Sequence, residues 1–385
     1  MPAILSPLHQ LFQEHWEAWT RFDPLFATYV GEQRYNDSLP VATEDAFQAW
    51  HDQLVDYHKR LQTIPLENLT PTDQLNHKMF GHLLEDEVTE LSFHPYRLPM
   101  SRTAGFHIMF PDMFQEMPFN SVEDYENYIS RMNAFPRFAL ENIDLMRTGL
   151  RTGYLPPLCT LTDLDKQLNA HIVEDATQSA LYHPFKQYPD SISKMQRQKL
   201  REDAQKAILE SVVPGYGALL EFFTKEYQPA ARESIASTDL PDGEAFYAHR
   251  IHYFTSLHLS AMQVHQIGLD EVKRIRAEMD LLLKKIDWQG TMEAFVEFLR
   301  TDPKFYVTTP EALLEKTALV LKRMDGELTR LFKSLPRMPY GIRAVPDYAA
   351  EGETAGYYNP GLGDGTRAGM YYVNTYDLPS RPIYE

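Results

Sequence analysis

The feature that most constrains this chain is a change of pattern near residue 340. From Leu8 to about Leu335, apolar residues recur three and four positions apart, as the buried stripe of a helix requires. From Tyr340 to Glu385 that recurrence stops. Seven of the chain's 18 glycines fall between Gly341 and Gly369, and eight of its 22 tyrosines between Tyr340 and Tyr384. Glycine frees the backbone for turns, whereas tyrosine and β-branched residues suit a pleated, half-buried surface. The first part can therefore become a helical body, and the last part strands and turns.

Helix starts are marked along the body. The apolar set Leu8, Leu11, Phe12, Trp16 and Trp19 opens the chain as an amphipathic helix, and Asp23-Pro24 breaks it. A second helix is expected from Glu44 to about Leu61. Thr70-Pro71 starts a long one carrying Leu75, Met79, Leu83, Leu84, Val88 and Leu91. Phe93–Phe119 is poorly periodic and reads as a long connection. Ser121 with Asp124 resembles a capping box before a helix reaching Met146. Thr160–Ala180 and Ser191–Phe223 read as helices, the second kinked or divided near Pro214. Helices are further expected at Glu244–Thr255, along Val272, Ile275, Met279, Leu282 and Ile286, after Thr291, and after Thr309-Pro310.

In the last stretch, Gly356–Asn359 and Met370–Tyr376 have strand character. Period two places Tyr371, Val373 and Thr375 on one face of the second strand, with Met370, Tyr372, Asn374 and Tyr376 on the other. Pro360–Gly365 between them is a dense turn signal, so a hairpin or two neighbouring strands is expected. The fold class is mainly α, a multi-helix body at 1–339 followed by a small β region at 340–385.

Composition excludes several functions. A formal net charge of -17 opposes a phosphate-binding surface, so no nucleic-acid partner is expected. No apolar run reaches about 18 residues, so no membrane span is expected. Cys159 is the lone cysteine, which rules out a disulfide framework and a cysteine zinc site. The N-terminus has no charged region ahead of an apolar run, so the chain reads as cytoplasmic.

Candidate chemistry is sparse. His249, His252, His258 and His265 cluster in sequence, but on one continuous helix the last two point away from the first two. No H-E-x-x-H occurs, and these four are not expected to share a metal. His107 sits in an irregular stretch where it could line a cleft or serve the packing. Glu351 and Glu353 could form a carboxylate pair or a solvated surface. Gly361–Gly365 mimics a phosphate loop, yet no helix start follows it, and a tight turn accounts for it better. The tyrosines can be core aromatics or the wall of a substrate cleft.

The segments Leu240–Met279, Leu331–Ala350 and Tyr357–Glu385, the last containing DGTRAGMYYVNTYDLPSRPIYE, resemble a bacterial family of zinc-peptidase-like proteins catalogued as domain of unknown function 885. The resemblance implies a zincin-like helical body around a cleft with a small sheet along one wall. It implies a peptide or peptide-like substrate, with Tyr357, Tyr358, Arg367, Tyr371, Tyr372 and Asn374 as substrate-binding candidates. Peptide backbone could add to the strand edge, tyrosine hydroxyls could stabilise an oxyanion, and Arg367 could grip a carboxylate. The family's zinc lies on a following helix with a signature resembling H-E-x-x-P-G-H-H. The sequence reaches Glu385 before such a helix, so zinc is expected for the full-length protein and none for this chain. The expected function is the substrate-cleft portion of a zinc-dependent peptidase-like hydrolase, without activity of its own. The alternative is a non-catalytic helical module that binds peptides or another protein.

Overall fold

The computed structural model describes residues 5–346, 350–351, 354–362, 365 and 367–384. The chain is mainly helical with a small three-stranded C-terminal sheet, as the pattern change predicts. It divides into two compact units, Met1–Ala261 and Met262–Glu385.

The first unit is helical and has two apolar clusters. The helices Pro7–Phe22, Glu44–Gln62 and Pro71–Ser92 bury Leu8, Leu11, Trp50, Leu54, Tyr57, Leu61 and Leu84 together. Each helix starts on a side-chain cap, from Ser6, Thr43 and Thr70 respectively, which satisfies a backbone N–H that the helix itself cannot. The larger cluster surrounds the Val122–Thr152 helix, opened by the full Ser121/Asp124 capping box. Its Tyr125, Tyr128, Met132, Phe135 and Met146 pack with Phe185, Tyr216, Leu219 and Phe223.

Two expectations for this unit are corrected. Phe93–Phe119 is not one open connection. It contains the Phe106–Asp112 helix, which buries Phe106, His107 and Phe110. Thr160–Ala180 is not one helix either. Only Leu164–Asn169 is α-helical, after Asp163 at φ 60°, and the remainder is irregular turns and short 3-10 segments, some capped by Asp175 and Ser179. Short polar side chains that bond nearby backbone favour such turns over continuous helix. Near Pro214 the expected kink or division takes the form of a π turn between two helices. The Lys194–Ala207 helix runs through a π turn at Ile208–Val212 into Val213–Phe222, and the wider turn accommodates the hydrogen bond that proline cannot donate.

The second unit holds the helices Ala261–Lys285, Met292–Thr301 and Pro310–Leu331, followed by the sheet. The predicted stripe on the first of these forms at the expected spacing but stays in contact with solvent. Val272 is 53% exposed and Leu282 57%.

The sheet comprises β1 (Tyr340–Ala344), β2 (Gly356–Asn359) and β3 (Gly369–Val373), in the order β1-β3-β2. β1 runs parallel to β3, and β2 antiparallel to it. β1 has no alternating signature of its own and gains its ladder only by pairing with β3. The Tyr340 hydroxyl anchors it by donating to Asp325 at 2.8 Å, on the Pro310–Leu331 helix. That tie joins the sheet to a helix of its own unit. The second predicted strand ends three residues early. The Asn374 side chain accepts from Tyr376 N at 2.9 Å and turns the chain out of the ladder.

Candidate functional site

The predicted site residues lie on two faces of the sheet and in its connecting loop. The register pairs Tyr357 with Tyr372 and Tyr358 with Tyr371, so each pair shares one face. The first pair stacks, with ring centroids 4.9 Å apart and planes at 17°. Tyr358, on the other face, is 54% exposed. Its ring lies over Gly369, where any Cβ would overlap the hydroxyl. Gly356 serves a similar close approach, because a Cβ there would meet the Tyr372 carbonyl at 2.8 Å.

β3 is the central strand, so both of its edges are taken by β1 and β2. A substrate strand cannot add to Gly369–Val373. Asn374 is also withdrawn from any substrate. It is fully buried, and its amide donates to the Ala350 carbonyl at 2.7 Å and the Thr354 carbonyl at 3.1 Å. Arg367 lies in the β2–β3 loop, where its Nη2 donates to the Pro360 carbonyl at 3.4 Å. In the same loop Leu362 N donates to Arg367 O, and Gly365 has φ 80°, a tight turn of the kind predicted. Gly363, Asp364 and Glu353 lie outside the described residues, so the proposed Glu351/Glu353 pair does too.

Among the four clustered histidines, His249 is buried on the Gly243–Thr255 helix, 3.7 Å from Glu90. His252, one turn on, has its ring 5.7 Å from that of His82, and His258 stacks on it at 4.5 Å. His265 is exposed on the Ala261–Lys285 helix. His107 is withdrawn from the surface. Its ring is buried in the core of the first unit, where desolvation lowers its pKa to about 4, while Gln167 raises it and His171 lowers it further. Cys159 is free and exposed.

Sequence reasoning missed two features of the first unit. His82, Asp86 and His252 bring potential ligand atoms within 4.8 Å of one another, the one set of this kind among the described residues. The His82/Asp86 spacing of four was legible on the helix, but its meeting with His252 depends on the packing of two helices. Beside it is a cavity of about 220 Å³, lined by aromatic Phe22, Trp50 and Tyr253 together with Asp86, Glu87 and Glu90. Burial and then the Glu90 carboxylate push Glu87 up to about 7. No helix among the described residues is long and apolar enough to cross a membrane.

Two solved structures share the fold. One is described as a "putative lipoprotein" from Colwellia psychrerythraea, with a TM-score of 0.90, 22% identity, and coverage of 99% of this chain and 69% of that one. The other, from Shewanella oneidensis and described as a "putative lipoprotein of unknown function", gives a TM-score of 0.56 and 15% identity over 97% of this chain and 65% of that one. The chain thus spans about two thirds of their length. No curated protein matches it. A family profile matches residues 24–385, and the chain belongs to that family, described as "Bacterial protein of unknown function (DUF885)".

Proposed function

We propose that this chain forms the substrate-binding part of a peptidase-like hydrolase, and that an extended peptide pairs with the outer edge of β2. The observation that carries this reading is the register of β2. Asn374 N donates to Ala355 O, so Tyr357 and Asn359 turn their main chain toward β3. Gly356 and Tyr358 turn theirs the other way, where no described strand pairs. The opposite edge, β1, is tied to a helix through Tyr340.

Magnitude limits what this edge can do alone. The Gly356 carbonyl already accepts from Thr354 Oγ1 at 3.2 Å. That leaves about three outward main-chain bonds, each contributing about 0.5–1.5 kcal/mol. Micromolar binding needs about 8 kcal/mol. The edge therefore sets direction and register, while side-chain contacts, with exposed Tyr358 first among them, supply the remaining affinity.

The zinc implied by the family resemblance would sit on an H-E-containing helix. Residues 1–385 contain no such sequence, and no step of this proposal runs through a metal. The test is binding of a mixed library of unstructured peptides, with Tyr358→Ala and Tyr358→Pro. Proline removes an outward N–H and leaves the β3 ladder intact, which edge strands tolerate. Both variants should weaken binding by several-fold. Unchanged binding in Tyr358→Pro would refute edge pairing. Hydrolysis is assayed on this chain and on one extended to the length of the solved relatives. Binding without cleavage in the extended chain would favour a non-catalytic peptide-binding module.

A further inference from the structure

We infer that His82, Asp86 and His252 form a divalent transition-metal site of the zinc class, joining the Pro71–Ser92 helix to the Gly243–Thr255 helix. Nothing in this inference depends on the peptide edge in the second unit. His82 and Asp86 stand four residues apart on one helix, a spacing that sets two ligands on one face. His82 Nε2 and Asp86 Oδ2 are 3.3 Å apart. Tetrahedral zinc with bonds of about 2.0–2.2 Å places neighbouring ligand atoms about 3.4 Å apart. That pair therefore already has the separation a shared ion imposes.

The third ligand comes from the other helix. All three ligand atoms lie within 4.8 Å of one another, a gap that small side-chain rotations close. An ordinary ion pair between His82 and Asp86 accounts for two of these residues and leaves His252 unexplained. The His252 ring is also held on two sides. Its Nδ1 faces the Leu257 carbonyl at 3.4 Å, and His258 stacks on its plane at 4.5 Å and 6°. A carbonyl acceptor on one ring nitrogen is how metal-bound histidines are commonly oriented, and it leaves Nε2 for the ion.

The donor set selects the metal. Two imidazoles and one carboxylate suit zinc and its first-row neighbours, whereas calcium and magnesium prefer all-oxygen shells. The His82 side chain is 44% exposed, so solvent can reach the ion and complete its coordination.

The experiment uses untagged chain freed of metal by chelation and dialysis, then titrated with zinc against a chromophoric competitor. One zinc per chain is expected. His82→Gln, Asp86→Asn and His252→Gln should each weaken binding at least about tenfold, a loss that even indirect changes around a metal produce. His265→Ala, exposed and in the other unit, should bind as the unaltered chain does. Circular dichroism confirms that each variant keeps its helices. In a second measurement, saturating zinc raises the Tm of the unaltered chain and not that of His252→Gln. Absence of stoichiometric zinc in the unaltered chain would overturn the site, as would equal affinity in the three ligand variants.

Discussion

Arg131 offers the sharpest test of how the first unit is held together. It sits on the Val122–Thr152 helix with no solvent exposure, and among the described residues it forms no ion pair. Instead, Nε donates to the Ser38 carbonyl at 2.9 Å. Nη2 reaches the Pro24 carbonyl at 2.9 Å, Thr28 Oγ1 at 2.7 Å and the Tyr35 carbonyl at 3.1 Å. Burial lowers its pKa to about 10, opposed by Asp37 and Asp23, so it remains charged at neutral pH. The guanidinium thus pins the 24–38 segment to the long helix. Arg131→Ala takes its donor from the Ser38 carbonyl, removes one of the donors to the Pro24 and Tyr35 carbonyls, and opens a cavity. Losing one partner of a buried charged network costs about 3–5 kcal/mol, and the cavity acts in the same direction. Arg131→Met refills much of the volume and removes the buried charge, so its cost should be smaller, about 1–3 kcal/mol for the lost hydrogen bonds. Urea unfolding at pH 7, followed by circular dichroism, measures both. The predicted order is unaltered chain, then Met, then Ala. An Arg131→Ala loss below about 1 kcal/mol would refute the argument.

Other consequences follow from particular packing. His15 and His107 are buried, and desolvation lowers both to about 4. The folded values lie below the unfolded one, so the unfolded chain takes up protons first. Stability is complete above about pH 6.5 and falls toward pH 4, by about 1.4 kcal/mol per unit for His107 alone; a urea midpoint that stays constant from pH 7 to 5 would contradict this. Asn374→Ala removes two donations and one acceptance at the end of β3, and should cost about 1–3 kcal/mol in the second unit while speeding amide exchange in β2. Gly215→Ala would set a Cβ 2.7 Å from the ring of Phe135, itself stacked between Phe110 and Tyr216, and should cost about 1–3 kcal/mol by thermal melting.

Local signals carried much of this architecture. Ser121/Asp124, Thr70-Pro71 and Thr309-Pro310 specify their helix starts through chemistry confined to one turn, so they are legible without the rest of the fold. The same holds for Gly356–Asn359, where aromatic strand residues adjoin a turn. Illegible were the features set by pairing between distant segments. β1 exists because β3 lies beside it, and β3 cannot offer an edge because β1 and β2 occupy both sides. The resemblance makes Asn374 a substrate-binding candidate, yet Ala350 and Thr354 engage it. His252 drew attention through neighbours in sequence, whereas its partners in space are 166 and 170 residues away, at Asp86 and His82.

The central claim, that β2 receives a peptide along its outer edge, is tested most directly by amide hydrogen exchange with and without saturating peptide. Tyr358 N–H points away from β3 and should exchange slowly only in the complex, whereas Tyr357 and Asn359, already turned into the ladder, should change little. Protection that rises at Tyr358 would support edge pairing. A peptide that binds tightly while Tyr358 exchange stays the same would contradict it.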